Sequence, residues 1–80
     1  MSQSEGDALA ACVRRAMKKY FKDLEGEEPE RLHALVISEV ESPLLEVVMH
    51  QVEGNQAKAA RWLGLDRNTL RKKLKRYRLS

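Results

Sequence analysis

Eighty residues make a single small domain, and a core of that size is only marginally stable alone, so oligomerisation is expected. The net charge of +3 hides a split: residues 54–80 carry nine Lys/Arg and one acid, net +8, whereas residues 1–53 carry six and eleven, net −5. A single cysteine excludes an internal disulfide, no run of about 18 apolar residues can span a membrane, and the start lacks a basic, apolar leader, so a cytosolic protein is expected.

Residues 1–7 read as a short flexible start, with Asp7 as a candidate N-cap. Leu9, Val13, Ala16, Met17, Tyr20, Phe21 and Leu24 then recur at offsets of 4, 3, 1, 3, 1 and 3, which predicts an amphipathic helix that Gly26 ends. Cys12 falls inside this pattern and reads as a small core or interface residue. Glu27, Glu28 and Pro29 form a connection, and Pro29 suits the first turn of a second helix starting near Glu30.

That second helix is apolar on two faces, with Leu32, Leu35, Val36, Ile37, Val40, Leu44, Leu45, Val47, Val48, Met49 and Val52. A helix of this kind is buried between two layers, one supplied by the first helix and a partner chain and the other by the C-terminal helices. Pro43 interrupts the segment, but the apolar phase runs through it from Val36 and Val40 to Leu44 and Val48. One kinked helix is therefore expected rather than two. Residues 8–53 are thus expected to hold the helices that meet a partner chain. Val13, Met17, Tyr20, Phe21, Val36, Val40, Leu44 and Val48 are the candidate dimer interface.

Gly54 stops the second helix, Asn55 caps a third over about 56–63, and Asp66 caps a fourth over about 67–77. Two helices packed about a tight turn need a small residue where they approach. Ala60 stands four positions before Gly64, which supplies the turn's permissive backbone. Leu63, Leu65, Leu70 and Leu74 close a small core, Leu70, Leu74 and Tyr77 share one stripe of the fourth helix, and Trp62 reads as a packing residue. Asn68, Thr69, Lys72, Lys75 and Arg76 point away from that stripe. A helix-turn-helix ending in a cationic helix is a DNA-reading element. Arg67, at the helix N-terminus, is placed to take guanine O6 and N7 in a bidentate pair, and the other cations suit phosphates.

The strings GNQ at 54–56, KAA at 58–60, LGL at 63–65 and TLRKKLK at 69–75 resemble the C-terminal helix-turn-helix of the Fis (factor for inversion stimulation) family. KKYF at 18–21, LEG at 24–26 and EVESPLLEVVM at 39–49 are similar to that family's dimerisation helices, and the EVESPLLE string separates Fis from other carriers of the motif. The resemblance covers about residues 8–79. It implies an all-α fold of four helices, with a two-helix dimerisation core followed by a helix-turn-helix, in an intertwined homodimer. It also implies a bacterial nucleoid-associated transcriptional regulator that binds and bends double-stranded DNA, its recognition helices in adjacent major grooves and an A/T-rich centre preferred without contact. Arg67 then reads a guanine, while Asn55, Thr69, Arg71, Lys72, Lys73, Lys75 and Arg76 hold DNA backbone or flanks, with Lys72 also near a base. Whether RNA polymerase is a further partner is left open.

The chain departs from the family pattern in three places. About eight residues without a hairpin signal precede the first helix, so stimulation of site-specific inversion is not expected. Asp66 stands where Asn is usual, and it cannot donate to a base or phosphate. Ala57 replaces a hydroxyl, and Asn68 a small residue, so affinity or selectivity is expected to shift. Two other readings remain: a detached C-terminal domain of an enhancer-binding activator, and a dimeric helical adaptor. An enzyme is not indicated. His33 and His50 are 17 apart with no Cys or paired acid at ligand spacing, and no glycine-rich phosphate loop is present. No cofactor and no metal are expected.

Overall fold

A computed structural model describes residues 3–80, which hold four helices and no strand: α1 Gln3–Leu24, α2 Leu32–Gln51, α3 Gln56–Leu63 and α4 Arg67–Arg76. The chain divides after Glu30 into two compact units, the second joining α2 to α3 and α4.

In the first unit, α1 begins at Gln3, so Asp7 lies inside the helix instead of capping it, and the described part of the expected flexible start is helical. Once a long helix is nucleated, each added residue gains a hydrogen bond, and a single glycine, Gly6, does not stop propagation. Met1 and Ser2 lie outside the described residues. Val13, Met17, Tyr20 and Leu24 are half-buried along one stripe, while Leu9 and Phe21 are exposed. The Tyr20 and Phe21 rings meet edge to face at 5.8 Å. Cys12 is exposed, so of the core and interface places expected for it the core is excluded, because it lies off the Leu9–Val13–Met17 phase. The exit is already left-handed at Glu25 (φ 53°), one residue before Gly26.

In the second unit, α2 starts two residues later than expected. Arg31 is left-handed (φ 54°, ψ 38°) with no side-chain cap, and Pro29 stays in the connection. Pro43 lies within one continuous helix, as the apolar phase required, although it offers no N–H to the carbonyl one turn back. One face of α2 enters a core of Leu45, Val52, Ala59, Ala60, Leu70 and Leu74, closed by Val48, Met49, Leu63, Leu65, Tyr77 and Leu79. Ala59 and Ala60 let α3 sit close to both α2 and α4. Leu45, Leu70 and Leu74 are fully buried, which stabilises the unit by roughly 1.5–3 kcal/mol each.

The adjacent face of α2 is different. Ile37, Val40, Leu44 and Val47, at offsets of 3, 4 and 3, are exposed, Leu44 by 49% and Val47 by 65%. Val48, also among the residues expected at the interface, borders this stripe and packs against the chain's own core.

Candidate nucleic-acid interface

The extended backbone of Asn55 turns the chain into α3, and its side-chain oxygen accepts from the Lys58 amide at 3.1 Å. That bond satisfies an otherwise free N–H of the first turn and leaves the Asn55 amide group as an exposed donor. Gly64 ends α3 in the left-handed region (φ 73°), and the Leu65 amide donates back to the Ala60 carbonyl at 2.9 Å. A Cβ at Gly64 would meet nothing within 4 Å, so the turn needs glycine for its dihedral angle and not for space. Asp66 caps α4, its Oδ2 accepting from the amides of Asn68 at 3.0 Å and Thr69 at 3.3 Å. The carboxylate is thereby turned onto the helix end, where it complements the positive end of the dipole.

With both helices fixed, the outer arc of α4 presents Arg67, Thr69, Arg71, Lys72, Lys75 and Arg76, all exposed. Arg67 stands in the first turn and Arg76 in the last. Asn68 joins this arc, and its Oδ1 accepts from Arg71 Nη2 at 2.7 Å.

Lys73 is placed differently from the other cations expected to meet DNA. Its ammonium pairs with Glu41 Oε2 at 3.0 Å and donates to Oε1 at 3.1 Å, with the two side chains only 25% and 19% exposed. The Tyr77 hydroxyl donates to the same Oε1 at 2.7 Å. These bonds tie α4 to α2. The Tyr77 hydroxyl, followed by Lys73 and the charge of Arg76, holds the Glu41 carboxyl below its ordinary value against the opposing effect of burial. The same hydrogen bond, with burial, raises the Tyr77 phenol.

Trp62 also departs from expectation. It is 53% exposed, with the Lys58 ammonium 5.2 Å from its ring centroid, because the buried phase of α3 runs through Ala59, Ala60 and Leu63. Sequence reasoning did not single out Glu41. A signal existed: Glu41 shares a helical phase with Leu45, Val48 and Val52, as Lys73 does with Leu70 and Tyr77, so a charged pair lay on two facing apolar stripes.

Among the described residues, no group of three or more His, Cys, Asp or Glu is placed to hold a metal ion, and His33 and His50 are exposed. No described helix is long and apolar enough to cross a membrane.

Two capped helices about a glycine turn, the second cationic along its outer arc, define a helix-turn-helix protein. The family model for the bacterial regulatory protein, Fis family, matches residues 36–77, from within α2 to the end of the helix-turn-helix. The chain is 49% identical over 79 residues to the DNA-binding protein Fis of Actinobacillus succinogenes, covering 99% of this chain and 80% of that protein. It is 52% identical over 75 residues to a Fis-like DNA-binding protein of Pseudomonas aeruginosa, covering 94% and 72%. The chain belongs to the Fis family of bacterial regulatory proteins. The similarity includes α1 and the start of α2, beyond the motif that a detached activator domain would share.

Proposed function

We propose that this protein is a DNA-binding regulator that acts as a homodimer, binding and bending duplex DNA with its two recognition helices in adjacent major grooves. The observation that carries the reading is the outer arc of α4, where five exposed cations stand on a helix fixed at its N-terminus by Asp66. The two relatives described above are both named as DNA-binding proteins. In this reading Arg67 takes a guanine edge, and Asn55, Thr69, Arg71, Lys72, Lys75 and Arg76 hold phosphates, with Lys72 the second candidate for a base. Lys73 is left out because Glu41 occupies its ammonium.

The unpartnered stripe Ile37, Val40, Leu44 and Val47, together with the apolar stripe of α1, supports dimerisation, since exposed apolar stripes of this length mark an interface. Two recognition helices closer together than one turn of straight B-DNA require the duplex to bend. An A/T-rich centre lowers the energy of that deformation without being touched. Such a protein acts in the cytoplasm, on the nucleoid.

Fluorescence anisotropy on a labelled duplex of about two turns, over a series of salt concentrations, tests the reading. Affinity should fall steeply, with a log–log slope of about −0.9 per phosphate held. Absence of binding at low salt would remove DNA as the partner and favour a helical adaptor.

A further inference from the structure

Of the charged groups on α4, only Lys73 turns inward, and it meets a half-buried carboxylate 32 positions away in sequence. Glu41 accepts at once from Lys73 of α4 and from Tyr77, the C-cap of that helix. Exposed ion pairs contribute little, but a carboxylate with this geometry and reduced solvent access is held in one position. The charge of Arg76 also acts on Glu41, and the shared core adds apolar contacts, which resist separation more than they resist rotation.

We propose that Glu41 is a positioning residue for DNA recognition: through Lys73 and Tyr77 it fixes the angle of α4 against α2, and in doing so it withdraws Lys73 from the phosphate-binding set. This rests on the DNA-binding reading above. The consequence falls at the other end of the helix. Without the brace, the buried Leu70 and Leu74 remain as the pivot; from their midpoint back to Arg67 is about 7.5 Å at 1.5 Å per residue, so a rotation of about 10° displaces the Arg67 backbone by about 1.3 Å. A bidentate pair to a guanine edge does not survive such a shift, whereas flexible lysines can still follow phosphates. Loss of the brace should therefore reduce base discrimination and leave the electrostatic component intact.

The protein can be titrated by anisotropy, over a salt series, into two duplexes that differ only in whether each half-site carries its guanine. Lys75→Met is the control and should lower the salt slope by about 0.9 per protomer with little change in the ratio of the two affinities. Lys73→Met should leave the slope as in the wild type and reduce the ratio by about threefold or more, and Lys73→Arg should restore the ratio. Tyr77→Phe removes a single hydroxyl and no charge, so it is the variant least disturbing to folding. It should also lower the ratio at unchanged slope. A Lys73→Met protein whose slope drops like that of Lys75→Met overturns the inference, as does a Tyr77→Phe protein with an unchanged ratio. A wild type that binds neither duplex overturns the function itself. A wild type that binds both steeply, with variants that fail these expectations, overturns only the role of Glu41.

Discussion

Arg67 stands in the first turn of α4, exposed, beside the Asp66 cap. Its replacement by alanine should cost about 1–3 kcal/mol of binding and relax preference at one base of each half-site. Competition binding with single-base variants of the duplex checks this, and equal losses on all sequences would reduce Arg67 to a phosphate ligand. Arg67 and the other cations of the outer arc were legible from the sequence because exposure on a short helix follows directly from the Leu70–Leu74–Tyr77 phase. Lys73 was not, because its partner lies on another helix and a one-dimensional charge run does not show which cation turns inward.

Glu41 has a further consequence at this scale. Its carboxyl is held below the ordinary value of 4.5 by Tyr77, Lys73 and Arg76. A group depressed in the folded state contributes stability that is present above its unfolded value and lost as pH falls through the folded one. The stability difference between wild type and Glu41→Gln should therefore be largest near neutrality and shrink as pH falls below about 4.5. Urea unfolding at pH 7 and in acid measures it, and a gap that stays constant would mean that the carboxylate is not favoured by folding.

At the scale of the element, α3 and α4 are defined by their ends. Asn55, Gly64 and Asp66 each satisfy or release backbone groups in the way their residue types predict, so the sequence located both helices to within a residue. The ends of α1 and α2 were less legible. Glu25 and Arg31 adopt left-handed backbone without the glycine that normally announces it, and the start of α1 runs past Asp7 by propagation. Gly64→Ala should destabilise the fold by about 1 kcal/mol, from strained dihedrals alone, since its methyl group would meet open space. Thermal unfolding followed by circular dichroism gives the value, and an unchanged midpoint would contradict the need for a left-handed turn. Trp62 was expected to pack, but its phase on α3 turns it outward.

At the scale of the whole molecule, one face of α2 serves the core shared with the helix-turn-helix and the adjacent face is left bare. The sequence showed that α2 has two apolar faces but did not separate them at Val48, which borders both. Leu44 is the better probe, since it is half exposed within its own chain. Leu44→Asp should abolish the dimer in sedimentation equilibrium, and a variant that remains dimeric would move the interface off this stripe.

The proposed dimer reads DNA by bending it. The most direct measurement compares two duplexes of about two turns, with identical guanine-bearing half-sites and either an A/T-rich or a G/C-rich centre, by anisotropy at several salt concentrations. Tighter binding to the A/T-rich centre is expected, with the same steep salt slope on both, because the phosphates held are the same and only the bending energy differs. Equal affinity for the two centres would contradict a bending dimer and leave a helix-turn-helix that binds duplex DNA without reading its deformability.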